Sequence, residues 1–232
     1  MGLIFSMSIY IAASVLMFTL TRYLIPFLQR TTGWEIILFW FLVGSLGVFL
    51  PLIITGIVIL KKEGRRFSQQ TWTERLRFRN VTRNDLIWSI GGILVVLIFT
   101  GFLQKFLVMI GGKFQNAPSF MFLEPLSGVR YLILAAWLPY WIFNILGEEF
   151  FWRGVMMPRQ ELSFGKYTWL IHGFGWGLFH IAFGWHLLIT LIPLIFVQSY
   201  VVQKTKNSWT GVIIHGGING PAFIAISLGL IK

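Results

Sequence analysis

Residues Leu134 to Pro158 read LAAWLPYWIFNILGEEFFWRGVMMP. Two adjacent carboxylates, Glu148 and Glu149, end a long apolar run, and Arg153 follows one turn later. The chain has only 8 acidic residues against 19 basic ones, so placing two of them side by side among Phe, Trp, Leu and Ile is costly. A charge near the middle of a bilayer costs about 2.5 kcal/mol or more even on lenient insertion scales. An ionisable residue in such a place marks a candidate functional site and requires a partner.

Working outward, the composition agrees with a membrane setting. The 232 residues are 56% hydrophobic and 12% charged, where a soluble domain is about 45–50% apolar and about 25% charged. Every backbone amide inside a bilayer needs an internal partner, so the spans are helices or a closed barrel. The apolar runs are continuous rather than alternating, which selects helices. The expected fold is an all-α, polytopic membrane helix bundle of about seven (six to eight) transmembrane helices, one membrane domain over 1–232. There is no cysteine, which excludes disulfides, thiolate metal sites and a thiol nucleophile. A net charge of +11 would suggest nucleic acid for a soluble protein. Here it reads as basic residues holding loops in the cytoplasm, and no nucleic-acid partner is expected.

The first span is expected from about Leu3 to Thr21; it lacks a basic leader and reads as uncleaved. Arg22 and Arg30 then bound a short loop ending at Gly33. The second span runs from about Glu35 to Leu60 with a kink at Pro51. Lys61 to Asp85 carries eight basic residues against Glu63, Glu74 and Asp85, and this 61–85 loop is the main cytoplasmic signal. Trp72, Leu76 and Phe78 interleave its charges, so a surface helix on anionic lipid is a secondary reading. The third span is about Leu86 to Ile110, followed by an outside loop, Gly111 to Ser127. The fourth, about Val129 to Phe151, descends to the cytoplasm with the glutamates near its inner end. The fifth starts near Tyr167 and reaches about Phe183, the sixth covers about His186 to Val202, and the seventh runs from near Trp209 to Ile231. The short fifth and sixth runs leave room for partial or re-entrant spans. This topology puts the N-terminus inside and the C-terminus outside, in the cell membrane, with the site toward the cytoplasmic side.

All four histidines lie between His172 and His215, in the half that holds the glutamates. Residues four apart share a helix face, so Glu149 and Arg153 can pair while Glu148, turned about 100° away, faces a cavity. Trp176 with His180, and His215 with Asn219, repeat the four-residue spacing. A buried carboxylate can take a proton from water. An imidazole can hold that water or shuttle the proton, and a second imidazole with an amide can stabilise an oxyanion. Alternatively Glu148, His180 and His215 form a three-ligand set for Zn²⁺ with a position left for water. The residues alone leave both chemistries open.

Glu148-Glu149-Phe-Phe-Trp-Arg153, Trp176-Gly-Leu-Phe-His180 and His215-Gly-Gly-Ile-Asn219 resemble, in order and spacing, the EExxxR, FxxxH and HxxxN motifs of the CAAX-processing and bacteriocin-processing intramembrane proteases, the CPBP or Abi family. The resemblance covers roughly Leu134 to Phe223 and implies a protease core over about 129–231. It departs at Trp176, where the family usually has Phe. It implies an intramembrane endopeptidase, metallo- or glutamate-dependent, acting on a membrane-tethered peptide or protein of CAAX or bacteriocin-leader type. Glu148 would be the base on water, aided by His180. His215 and Asn219 would bind the oxyanion or orient the water. Glu149 and Arg153 would hold geometry, with Glu149 a second contact to the water.

Two other functions compete. One is a non-catalytic membrane scaffold or bacteriocin self-immunity factor of the same fold; the other is a proton- or cation-coupled transporter, disfavoured because the acids gather on one helix. His172 matches no motif position and reads as a packing or interfacial residue, and His186, after a turn at Gly184-Trp185, as interfacial. The glycines at 173, 175, 177, 216, 217 and 220 read as sites of close helix approach.

Overall fold

The computed structural model describes residues 2–111 and 118–231. These residues contain no strand. Six helical stretches are long and apolar enough to cross a bilayer: Leu3–Thr32, Ile36–Lys62, Arg83–Gly111, Gly128–Phe183, Trp185–Thr205 and Ser208–Ser227. The fourth has 56 residues, far more than the about 20 one crossing takes. It folds back at Gly165, whose φ of +51° suits a residue without Cβ. Glu148 and Trp176 on its two arms are brought into hydrogen-bond contact by this return. The stretch therefore holds the fourth and fifth expected segments, and the all-α multi-pass bundle stands.

Several expected boundaries move. The first helix does not stop at Thr21. It passes through a wide turn at Leu20–Leu24 and ends at Thr32, where Gly33 takes a left-handed φ of +73°. Arg22 is thus inside the helix, not in a loop; its Nη2 donates to the Ala182 carbonyl at 3.1 Å and its guanidinium lies near the Phe18 ring. The second helix widens at Gly44–Phe49 just before Pro51, which accommodates the missing proline donor without breaking the span. The sixth segment, Trp185–Thr205, is 21 residues and full length. The seventh ends at Ser227 rather than Ile231. Of the expected outer loop Gly111–Ser127, residues 112–117 lie outside the described residues.

The basic 61–85 segment is not a surface helix. It has one short turn, Thr71–Arg75, and is tied to the bundle end. Leu76 and Phe78 are buried, and Trp72 stacks on Phe78. Arg75 donates to Glu63 at 2.7 Å and to the Gly154 and Val155 carbonyls at 3.1 Å. Arg77 and Lys206 both pair with Glu161. Burial pushes the Glu63 carboxyl up, but hydrogen bonds from Arg75 and the charges of Arg75 and Arg159 outweigh it and hold Glu63 below its ordinary value. At the other end of the bundle Arg130 pairs with Glu35, holding that carboxyl low, and Leu126 N–H bonds the Ser227 carbonyl.

The first helix runs along the Thr168–Phe183 arm. Tyr10 stacks on Trp152 at 4.7 Å and its hydroxyl meets His172 Nδ1 at 2.9 Å, while Ser14 Oγ donates to the Leu178 carbonyl at 2.8 Å. The approach depends on Gly175, where a Cβ would collide with the Tyr10 ring. Arg83–Gly111 is the most outward of the spans, with Ile87, Ile98 and Phe102 exposed, as a lipid-facing helix requires.

Candidate active site

The glutamates sit where the helix changes character. Leu132–Glu148 is regular α-helix; Glu149–Met156 is wide, with i→i+5 hydrogen bonding, and every residue of it is buried. Such widened turns occur often at functional sites. Glu149 is fully buried and its Oε1 accepts three bonds: from Arg153 Nη1 at 3.1 Å, Gln198 Nε2 at 2.8 Å and His215 Nδ1 at 2.9 Å. These donors come from three different helical stretches. A carboxylate buried with this many partners is a tie between elements, and losing any partner would leave charge uncompensated. The expected pairing of Glu149 with Arg153 is present. Glu149 is not among the residues lining the cavity.

Glu148, one residue earlier, points the other way, into a cavity. Its Oε2 accepts from the Trp176 indole Nε1–H at 2.8 Å and its Oε1 from Asn144 Nδ2 at 3.3 Å. Asn144 is one turn earlier on the same helix. Trp176 is 1% exposed. The Arg153 guanidinium lies 3.7 Å from its ring centroid, and His180 and His215 meet it edge-on at 4.9 and 5.4 Å.

The two histidines are fixed in complementary ways. The helix carrying His180 ends at Phe179, and the backbone N–H of His180 bonds back to Gly177 and Leu178. The Trp176 carbonyl is instead met by His180 Nδ1, at 2.8 Å, which satisfies a terminal acceptor of the helix. A carbonyl only accepts, so Nδ1 carries the hydrogen and Nε2 is left for the cavity. His215 Nδ1 likewise faces Glu149 Oε1, leaving its Nε2. Close passage of Trp141 over the His215 helix uses Gly216 and Gly220, where a Cβ would sit 3.2 Å from the indole.

The cavity has a volume of about 200 Å³. Asn144, Glu148, Trp176, His180, His215 and Asn219 line its polar part. Its remainder is apolar and reaches Met121, Leu123 and Ile226 toward the end opposite the basic segment. All four residues expected to do chemistry thus meet in one space.

Among the described residues no three His, Cys, Asp or Glu side chains form a group that would hold a metal ion. The Glu148 oxygens are engaged by Trp176 and Asn144, while His180 and His215 each keep Nε2 for the cavity.

Sequence reasoning missed Asn144, Gln198 and Tyr10. His172, expected to pack or lie at an interface, is fully buried and packs: Nδ1 lies 2.7 Å from Gln160 Oε1 and 2.9 Å from the Tyr10 hydroxyl. His186 is half-buried behind the turn at Gly184.

Residues 130–220 match the family model described as Rce1-like, type II CAAX prenyl endopeptidase. Comparison with curated proteins and with solved structures finds no match.

Proposed function

From the Rce1-like domain of type II CAAX prenyl endopeptidases that the chain carries over residues 130–220, we propose that this multi-pass membrane protein is an intramembrane endopeptidase whose base is Glu148. The observation that carries the reading is the convergence of Glu148, His180, His215 and Asn219, from separate helical stretches, on one cavity.

In this reading Glu148 takes a proton from a water that the free Nε2 atoms of His180 and His215 help to hold. The water oxygen adds to the scissile carbonyl carbon. The Asn219 amide donates to the oxygen as it gains charge, the kind of stabilisation that lowers such barriers most. The carbon–nitrogen bond then breaks, and the proton on Glu148 passes to the leaving nitrogen. With Nδ1 protonated, His215 serves as an acceptor in its neutral form, so the neutral donor to the oxyanion is Asn219. Glu149, tied to Arg153, Gln198 and His215, holds the geometry. No step needs a metal.

The apolar remainder of the cavity suits a membrane-tethered polypeptide, and an isoprenylated CAAX peptide is the substrate class the family description names. In this reading the basic end of the bundle is cytoplasmic, and the polar floor of the cavity faces that side. The test is mass spectrometry of membrane peptides from cells with the wild type and with Glu148→Ala. The expected result is a set of carboxy-terminal fragments present only with wild type. Identical sets, with Glu148→Ala inserted and folded, would remove the reading.

A further inference from the structure

Trp176 contacts four charged or titratable groups of the site: it donates to Glu148, carries the Arg153 guanidinium on its face, and meets the His180 and His215 imidazoles edge-on. Its backbone carbonyl also sets the His180 ring. The place it occupies is one where the motif it resembles usually has Phe. Phe would fill space, but it has no hydrogen to give. In this chain the indole N–H is directed at Glu148 Oε2, at 2.8 Å, from a position 1% exposed.

The geometry differs from simple packing. A buried indole N–H needs an acceptor, and here the acceptor is the carboxylate proposed as base. The other oxygen of that carboxylate is held only by the longer bond to Asn144. With Oε2 held by the shorter bond and Oε1 by the longer one, Oε1 is the oxygen more readily given to water in this reading. The ring cannot swing, because Arg153 covers one face and that guanidinium is itself bound to Glu149. Trp176 therefore connects the Glu149 tie to the Glu148 base.

We propose that Trp176 is a positioning residue for the hydrolytic reaction, orienting Glu148 through its indole N–H rather than through ring volume alone. This rests on the reading of Glu148 as the base.

The test replaces Trp176 with 3-benzothienylalanine, which keeps the fused ring and its π-face but has sulfur where the N–H was. Trp176→Phe and Glu148→Ala are made beside it, all as the full chain in detergent or liposomes, with an isoprenylated CAAX peptide as probe. A lost hydrogen bond to a charged group lowers kcat by about tenfold to a hundredfold, with KM little changed because the substrate does not bond this N–H. The same fall in the benzothienyl and Phe variants supports the proposal. Wild-type kcat in the benzothienyl variant overturns it, whatever Phe does, and a Phe variant that fails to fold leaves the isostere to decide. An independent readout needs no substrate: the ¹⁵N-indole resonance of Trp176, assigned by its loss in Trp176→Phe, shifts in Glu148→Gln if the bond exists and stays still if it does not. A still resonance also overturns the proposal. If wild type and Glu148→Ala cleave alike, the reading of Glu148 fails first, and the positioning role falls with it.

Discussion

Gln198 Nε2 bonds Glu149 Oε1 at 2.8 Å and the Gly211 carbonyl at 3.1 Å, so a single amide links the buried carboxylate to the backbone of the His215 helix. Gln198→Leu removes both bonds with little change in volume. We expect a loss of about 1–3 kcal/mol of stability, the usual cost of stranding a buried polar group. Thermal unfolding of purified protein measures it, and an unchanged midpoint would mean that Glu149 is held by Arg153 and His215 alone.

Arg153→Met leaves Glu149 buried without its cation, a change that costs about 3–5 kcal/mol. Arg153→Lys keeps the charge but not the planar group stacked on Trp176, and the two cations are not equivalent at a stacked site. The expected order of stability is wild type, then Lys, then Met. Full recovery by Lys would show that charge alone is required.

Gly211 lies against Glu149 Oε2, and a Cβ there would collide with it. Gly211→Ala is expected to cost about 1–3 kcal/mol by overpacking and to lower cleavage further by displacing the partner of His215. Gly91→Ala is the control: nothing lies within 4 Å of its Cβ position, and a helical Gly→Ala change is stabilising by about 1 kcal/mol. If both variants behave alike, the space beside Glu149 is not critical.

The water-activation step proposed for Glu148 uses no metal, so a strong chelator should leave cleavage unchanged, and added Zn²⁺ should not restore activity to Glu148→Ala. Loss of activity with the chelator and its return with metal would replace the water-activation step proposed here.

Glu63 is held below its ordinary value, since Arg75 and Arg159 outweigh the opposing effect of burial. A depressed carboxyl stabilises the fold above its unfolded value, about 4.3, and the contribution is lost as pH falls through the folded value. Acid should therefore release the 61–85 segment before the spans part. Protease cleavage within that segment is expected to rise below about pH 4. In Glu63→Gln the segment should be cut already at neutral pH, with a flatter pH dependence. A pH profile identical to wild type would contradict this.

Much of the bundle was legible because a bilayer leaves the chain few choices. Uncharged runs of sufficient length must be helices, and the clustering of Lys and Arg around 61–85 marks one end. The boundaries were less legible. Arg22 looked like a loop residue because the sequence does not display the Ala182 carbonyl that receives it. Leu76 and Phe78 looked lipid-facing because tertiary burial against the bundle end has no local signature.

The site divides in the same way. Glu148, His180, His215 and Asn219 could be named because their four-residue spacings are helical and their types are rare in apolar runs. Asn144 was within reach by the same logic, one turn before Glu148 in an apolar helix, and Gln198 stands out as polar in the middle of the sixth run. What no spacing discloses is which donor meets which oxygen. The turn at Gly165 brings Trp176 to Glu148, and that contact is a property of the folded hairpin.

The stack of Tyr10 on Trp152 has a practical corollary for anyone trimming this gene. The stretch that matches the family model begins at residue 130, yet Trp152 within it is stacked on an aromatic ring from residue 10. An excised half would keep the whole matched stretch and still lack the ring its Trp152 packs against. The matched stretch and the packed unit have different borders.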